Sequence, residues 1–471
     1  MIGAGPAGEK GATQAAYHGK RVAIVERAPA PGGTAVATGG IPTKALRETA
    51  LQVSAMRRSA ADGLHLELDP ATVFERLRTR ARGVSLVMCE AVSRNLERHG
   101  IELIVGSGRL SAGGTVTVSA AGHPERVLHA DVVLVATGSR PVRPAGIPFD
   151  GRSVIDSEEI LALDEPFGSV IIVGAGAVGC EYASIFAAIG IKVWLLDLSE
   201  RLLPLLDAEM AQLLGSSLRA AGIEILLGTR VGDVRADGDG VMAELEGGRV
   251  LRAERLLFAA GRMGNVEDLG LEAAGVEIQG QRIVVDGSYR TSADGIFAAG
   301  DVIGPPALSS VSMEQARVAM CHAFGIPLKK AVDQLAPSAI YTIPEVASVG
   351  MSDEAASRAG LDHEVGRGWF EKNTRAVIAG DGVGLVKLVF ERSRGRLLGV
   401  QVLGTEAAEL VHHGQAVLHR GGLISEFIDT TFNVPTRSEA YKYAAYDGLT
   451  RVEVRAAFGD VAPATPLRQG G

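Results

Sequence analysis

The sequence predicts an α/β protein in which one strand–turn–helix–strand unit occurs twice, followed by a separate α+β domain. Two observations carry this. Residues 2–8 read Ile-Gly-Ala-Gly-Pro-Ala-Gly and lead through a helical stretch to Arg21-Val-Ala-Ile-Val-Glu26; residues 170–179 read Val-Ile-Ile-Val-Gly-Ala-Gly-Ala-Val-Gly and lead through another to Lys192-Val-Trp-Leu-Leu-Asp197. In both copies the terminal acid (Glu26, Asp197) lies 23 positions after the first glycine (Gly3, Gly174). A strand, a tight turn, a helix and a second strand ending in an acid make a βαβ unit. From about Pro337 the texture changes to short β-rich segments ahead of helical ones, which marks a different domain.

The elements follow in order. Asp69-Pro70 predicts a helix start, with Asp as cap and Pro in the first turn, and Gly100 a stop after His99. Thr115–Ser119 and Val127–Ala136 read as strands. Asp207 predicts the cap of a helix ending near Gly222, with short strands to about Phe258. In the last domain Ala376–Phe390 and Leu397–Leu403 read as β-rich, Glu406–Arg420 and Ser438–Leu449 as helical. The expected domains are 1–150 and 271–336 (two parts of one nucleotide domain), 151–270 (a second), 337–458, and a mobile tail over 459–471.

Composition sets the outer limits. Hydrophobic residues make up 46% and charged residues 22%, as in globular rather than disordered chains. Glycine, 60 of 471, exceeds the usual ~7% without a collagen-like period, so tight turns are its use. A net charge of -8 argues against a nucleic-acid partner. Cys89, Cys180 and Cys321 show neither CxxC nor metal-finger spacing. The uncharged stretches Ala28–Thr43 and Pro166–Cys180 fall short of the ~18 apolar residues of a membrane helix. No basic stretch precedes an apolar core at the N-terminus. A soluble, cytoplasmic protein without membrane partners is expected.

The chemistry sits on the glycine turns. Gly3, Gly5 and Gly8 let a pyrophosphate approach the backbone, where the next helix offers free N–H groups and a partial positive charge. Glu26 can accept hydrogen bonds from a ribose 2′-hydroxyl. Gly174, Gly176, Gly179 and Asp197 repeat the arrangement, and Asp197 favours NAD over a 2′-phosphorylated nucleotide by charge repulsion. Arg201 is either a solvated surface side chain or one that reaches a 2′-phosphate. Ala136-Thr-Gly-Ser-Arg140 and Ala259-Ala-Gly-Arg-Met263 resemble each other, each after a strand-like run. Asp301, ending Thr291–Asp301, is either a helix cap or a carboxylate presented to a polyol chain. Glu409 and His413 share a helix face but His412 does not, so no metal site is expected.

Taken together, the motifs resemble the flavoprotein pyridine nucleotide-disulfide oxidoreductases over nearly the whole chain. The match runs through both glycine turns, Gly32-Gly33-Thr34, Ile41-Pro42-Thr43-Lys44, Ala136-Thr137-Gly138, Gly300-Asp301, Thr342–Gly350 and Pro435–Glu439. The resemblance implies FAD on the first unit, NAD or NADP on the second, and a C-terminal dimerisation domain making a homodimer. Cofactor contacts would come from Gly3, Gly5, Gly8, Glu26, Gly33, Thr34, Lys44, Thr137, Gly138, Gly174, Gly176, Gly179, Asp197, Gly261, Gly300 and Asp301. Lys44 and Glu181 would lie beside flavin N5 as the catalytic pair.

The departures are informative. The family's redox segment is Gly-Gly-Thr-Cys-x-x-x-Gly-Cys-Ile-Pro, whereas residues 32–42 here read Gly-Gly-Thr-Ala-Val-Ala-Thr-Gly-Gly-Ile-Pro. Ala35 and Gly40 replace both cysteines, and Val434-Pro435 replaces the His-Pro pair. Thiol–disulfide exchange needs a thiolate, so it is excluded at this segment. Cys180 is expected to pack as a small apolar residue and Glu439 to be a structural carboxylate or dimer contact. The family has about five apolar residues before the position of Ile2; a chain lacking that strand should hold FAD weakly. Gly39–Arg47, Gly179–Phe186 and Thr430–Thr436 are most similar to the soluble pyridine nucleotide transhydrogenases, although Ser199 stands where that group often has a basic residue. The implied activity is ping-pong hydride transfer between NADPH and NAD through FAD, without a disulfide. The alternatives are an NAD(P)H dehydrogenase using quinone, dye or oxygen, and a non-catalytic nucleotide-binding flavoprotein.

Overall fold

The structure, a computed structural model, describes residues 1–61, 69–238 and 240–458, so the expected tail lies outside the described residues. The chain divides into two compact units: Met1–Leu202 with Ala221–Gln334, and Leu203–Ala220 with the chain from Leu335 onward.

In the first unit, α1 (Pro6–Tyr17) leads to β1 (Ala23–Glu26), which pairs in parallel with β2 (Glu102–Val105). The excursion between them is a helical hairpin, α2 (Gly40–Ala61) and α3 (Pro70–Arg98). Asp69 caps α3 as its sequence predicts, accepting the Thr72 N–H at 2.9 Å. β3 (Val133–Val135) and the later strand Ile296–Ala298 form a second parallel pair. Ile2 joins the two pairs, bridging Val25 on one side and Val135 on the other. Its N–H donates to Leu134 O at 2.9 Å and its carbonyl accepts from Ala136 N at 2.8 Å. Gly3 N–H donates to Val25 O, and Val25 N–H to Met1 O. Thus two residues ahead of the first glycine turn fill the central place in this sheet. Ile2 is buried in a core with Val25, Val133 and Val135.

The second copy builds a five-stranded parallel sheet. After β4 (Ser139–Pro141) come β5 (Val154–Asp156), β6 (Ser169–Val173), α4 (Ala177–Ala188) and β7 (Lys192–Leu196). The chain then makes α5 (Ala208–Ala220) before β8 (Glu224–Leu226) and β9 (Arg255–Phe258). The strand order is β8-β7-β6-β9-β5. These strands are nearly continuous apolar runs because the sheet is covered by other elements: Val154, Ile171, Trp194 and Leu256 pack against Val234, Val241 and Leu251 of the antiparallel strands at 231–253, and α4 packs on β7. The repeat reaches further than the βαβ units. Each copy carries a three-stranded antiparallel meander, 107–129 in one and 231–253 in the other. Each ends in a strand and a glycine turn, and the two strands that follow, β4 and β10 (Arg262–Gly264), pair antiparallel with each other. The similarity of residues 136–140 and 259–263 thus marks the strands that join the copies. With the strand Ile296–Ala298 counted as β11, the unit closes on α6 (Ser309–Ala323).

The second unit holds an antiparallel sheet of β12 (Ser338–Ile340), β13 (Val346–Gly350), β14 (His363–Trp369), β15 (Leu385–Glu391) and β16 (Leu397–Leu403), in the order β12-β13-β16-β15-β14. α7 (Ala407–His419) and α8 (Glu439–Phe458) pack against it through Leu410, Val411 and Val417 and through Tyr441, Ala444 and Ala445. One expectation is corrected: the first residues of Ala376–Phe390, 376–379, are not β but the end of a helix, Thr374–Ala379. Asn373 precedes it and accepts the Ala376 N–H at 3.1 Å, so a cap overrides the β-branched composition.

Helix α5 belongs to this second unit although its neighbours in sequence belong to the first, and a buried charge cluster explains why. Lys387 of β15 is 1% exposed and Asp207, at the start of α5, is also 1% exposed. The ammonium lies 3.0 and 2.9 Å from the two Asp207 oxygens and 3.0 Å from Glu209. Arg367 grips Glu209 through two bonds of 2.7 and 2.9 Å. Asp353 accepts from His363 at 2.8 Å, completing the ring of charge around Lys387. Burial opposes the charge on Lys387, but Asp207 and Glu209 outweigh it and raise the ammonium above its ordinary value. Burial likewise opposes the charge on Glu209 and Asp353, yet hydrogen bonds from Arg367 and His363 and the charge of Lys387 hold both below the usual carboxylate range.

Two outcomes follow from the cluster. Lys387→Met strands Asp207 without its partner and costs about 3–5 kcal/mol, read as a drop in the apparent midpoint of chemical unfolding. The depressed carboxylates contribute stability above their unfolded pKa of ~4, and it is lost as pH falls through their lower folded values. Unfolding midpoints of the parent protein therefore decline below about pH 4, and this acid-side decline is shallower in Lys387→Met.

Candidate active site

Both glycine turns are shaped by what a side chain would strike. Gly3 sits at φ +101°, and a Cβ there would lie 2.4 Å from Ala136 O. A Cβ on Gly8 would lie 1.9 Å from Gly3 O. In the repeat the same contacts are 2.6 Å from Ala259 O at Gly174 and 1.8 Å from Gly174 O at Gly179. The outer glycines of each turn therefore serve close packing of turn, strand and helix. The middle ones differ. A Cβ on Gly176 would meet nothing within 4 Å, and one on Gly5 only Gly33 Cα at 3.7 Å. Gly5 and Gly176 also precede α1 and α4 without offering a side-chain cap. The first N–H groups of each helix are left for an anion.

The two acids are arranged alike. Glu26 is 8% exposed; its Oε2 accepts from Ala4 N at 2.7 Å and its Oε1 from Ala28 N at 2.8 Å. Asp197 accepts from Ala175 N at 2.5 Å and from Ser199 N at 2.7 Å. In each case the carboxylate is fixed by the turn it serves, and every oxygen keeps a lone pair for a hydroxyl donor.

Further residues converge on the first turn. Gly33 stacks on it so closely that a Cβ would lie 2.7 Å from Gly5 Cα, and Thr34 follows at the start of a short helix, Gly33–Ala37. Gly300 packs against Ala7 of α1 and donates its N–H to Gln315 Oε1 at 2.8 Å. Asp301 does not cap the 3₁₀ turn it begins. Its Oδ2 instead accepts from Ser139 Oγ at 2.7 Å, and Arg262 braces that serine from Nε at 2.9 Å. Thr137 and Asn265 exchange bonds of 2.8 Å each, which holds open the turn at Gly138, where a Cβ would meet nothing. Gly261, the counterpart in the second copy, is equally open, with Val142 at 3.9 Å. Sequence reasoning missed Ser139, Arg262, Asn265 and Gln315. The recurring Thr-Gly-Ser-Arg and Ala-Gly-Arg strings held Ser139 and Arg262; nothing local marked the other two.

Lys44 on α2 and Glu181 on α4 meet, joining the two copies. Lys44 Nζ lies 3.0 and 2.8 Å from the two Glu181 oxygens. The lysine side chain is 32% exposed and the glutamate 9%. A buried carboxylate thus fixes a partly exposed ammonium.

The segment that precedes Lys44 has Ala35 and Gly40 and no thiol. Cys180 is buried with its Sγ on Ala175 O, and burial pushes its thiol up, so it packs as an apolar residue. In the second unit Glu439 starts α8 and accepts the Thr436 N–H at 3.3 Å, three residues back, as the carboxylate of a capping box does. His413 meets Ser438 Oγ at 3.1 Å and rings of Phe432 and Tyr441 edge-on. Burial, helped by His412, holds that imidazole below its ordinary value. Arg201 is half-buried rather than fully solvated. Among the described residues no helix is long and apolar enough to cross a membrane.

Two glycine cradles with matching acids, bridged by one ion pair, define a two-dinucleotide oxidoreductase architecture. The chain belongs to the pyridine nucleotide-disulphide oxidoreductase family: residues 1–323 match it, and residues 336–445 match its dimerisation domain. Proteins named soluble pyridine nucleotide transhydrogenase are similar along nearly the whole length. That of Mycobacterium tuberculosis is 40% identical over 454 residues (96% of this chain, 97% of the relative), and that of Marinomonas sp. 37% over 458 (96% and 98%). Among solved structures, LpdA of Mycobacterium tuberculosis superposes with a TM-score of 0.87 at 27% identity, covering 94% of this chain and 98% of that one. The HOCl-induced flavoprotein disulfide reductase RclA of Escherichia coli gives 0.85 at 28%, with the same coverage.

The middle glycine separates folding from ligand binding. Gly176→Ala adds a methyl group into open space, so unfolding stability changes by less than about 1 kcal/mol. A pyrophosphate approaching the N-terminus of α4 would meet that methyl group. A rise of about tenfold or more in the KM for NADH, with FAD content unchanged, is the expected result of steady-state kinetics and absorbance.

Proposed function

We propose that the protein transfers hydride between NADPH and NAD through FAD, as a cytoplasmic homodimeric soluble pyridine nucleotide transhydrogenase. The observation that carries this is the Lys44–Glu181 pair, which ties the two nucleotide cradles together while the adjoining redox segment has Ala35 and Gly40 in place of cysteines. The names of the relatives support the same reading. FAD is assigned to the part formed by 1–150 and 271–336, nicotinamide nucleotides to 151–270, and the dimer contact to 337–458.

The residues fit these groups. Gly3, Gly5, Gly8, Gly33 and Thr34 would hold the FAD pyrophosphate, Glu26 the adenosine ribose, and Asp301, Gly300, Thr137 and Gly138 the chain leading to the ring. Gly174, Gly176, Gly179, Gly261 and Asp197 would hold the nicotinamide nucleotide. FAD, when bound, would supply two-electron carrier chemistry. Lys44 would offer the bound ring a fixed positive charge, and Glu181 keeps that ammonium oriented. The chain contributes positioning and charge. Neither residue acts as a nucleophile, and no thiol relays electrons onward.

Three results test this. Anaerobic titration at the flavin band takes up about two electrons per FAD from NADPH or NADH, with no long-wavelength thiolate charge-transfer band; bleaching by NADH but never by NADPH overturns the proposal. Lys44→Met lowers kcat for thio-NAD reduction by about 10²-fold or more with FAD retained. Asp197→Ser removes the charge that opposes a 2′-phosphate and lowers the KM for NADPH relative to NADH.

A further inference from the structure

A chamber of about 480 Å³ lies in the first unit among α2, α3 and α4 and the segment 158–167. That volume is within the range of small-molecule sites. It is distinct from the nucleotide cradles. Pro42 and Leu46 of α2 line it, whereas Lys44, two residues from each, projects from the opposite side of the helix to Glu181.

The walls have one chemical character and one end another. Phe167 stands edge-on between Phe74 (5.8 Å) and Phe186 (5.3 Å), and Tyr182 stacks on Phe186 at 5.6 Å. The rings thus largely satisfy one another, and the wall left over is aliphatic: Leu46, Leu77, Ile160, Ile185. At one end Arg78 and Arg82, a turn apart on α3, both reach Asp164 Oδ1, Arg82 at 3.2 Å. Two guanidinium groups on one carboxylate leave one positive charge in excess. Glu158, the carboxylate among the lining residues, is already engaged by Arg262 at 2.9 Å. Arg78 Nε is buried and has no hydrogen-bond partner among the described residues. An acceptor entering the chamber would satisfy that donor.

We propose that this chamber binds a medium-chain aliphatic monocarboxylate, its chain along the Leu and Ile wall and its carboxylate at Arg78 and Arg82. The single excess charge selects a monoanion, and the planar carboxylate suits a guanidinium fork.

Cys89 lines the chamber and reports on it. Cys180 and Cys321 are buried, and burial pushes the Cys89 thiol up, so alkylation is run at mildly alkaline pH. The holoenzyme is treated with iodoacetamide in the presence of dodecanoate, dodecanol or 2-naphthoate below their aggregation limits, and the Cys89 peptide is quantified by mass spectrometry. Dodecanoate is expected to slow Cys89 alkylation at least tenfold at saturation, with dodecanol and 2-naphthoate ineffective at that concentration. In Arg78→Gln, and separately in the more exposed Arg82→Gln, the dodecanoate concentration for half-protection rises at least fivefold. No slowing by dodecanoate overturns the site. Equal protection by dodecanol, or unchanged protection in both variants, overturns the headgroup assignment, and stronger protection by 2-naphthoate overturns the aliphatic one.

Discussion

Close backbone approach at two turns is the constraint on which the first unit depends. At Gly3–Gly8 and again at Gly174–Gly179 the helix start comes within a distance of its parent turn that no Cβ tolerates. That approach aims the N-termini of α1 and α4 at the ends of the parallel strands, where Glu26 and Asp197 stand. The acids in turn bond the N–H groups of Ala4 and Ala175, so each turn and its acid hold each other. Uncapped helix starts and carboxylates with open lone pairs are thereby fixed by the fold itself.

Duplication then becomes chemistry because the copies touch. Antiparallel pairing of β4 with β10 joins them through the backbone, and Lys44 with Glu181 joins them through charge. The lysine is exposed enough to meet a ligand, and the glutamate is buried enough to hold it. Loss of the thiols at positions 35 and 40 leaves this pair as the charged element of the redox segment. The redox segment thus has no thiol for disulfide chemistry, while both glycine turns and their acids are retained.

The sequence was most legible where a residue type answers a local demand. Asp69, Asp207 and the two glycine turns are read correctly because caps and tight turns depend on neighbours within a few residues. It was least legible where partners are distant. The helix at Thr374–Ala379 was hidden by β-branched composition, and only the Asn373 cap reveals it. Lys387 within β15 gives no local sign that it meets Asp207 180 residues earlier. Asn265 braces Thr137 from 128 residues along the chain, just after β10, and Gln315 braces Gly300 from the following helix α6, 15 residues on.

Sequence by itself determined the repeat, the two glycine turns with their terminal acids, and the replacement of both redox cysteines by Ala35 and Gly40. Each rests on residue identity at short spacing, where backbone geometry leaves few choices. Only the tertiary structure decided that α5 joins the C-terminal unit, that Asp301 is braced by Ser139 rather than used as a cap, and that Lys44 is held by Glu181 at both oxygens. Those outcomes depend on desolvation and on charge brought together across the fold, and neither quantity exists until the chain has packed.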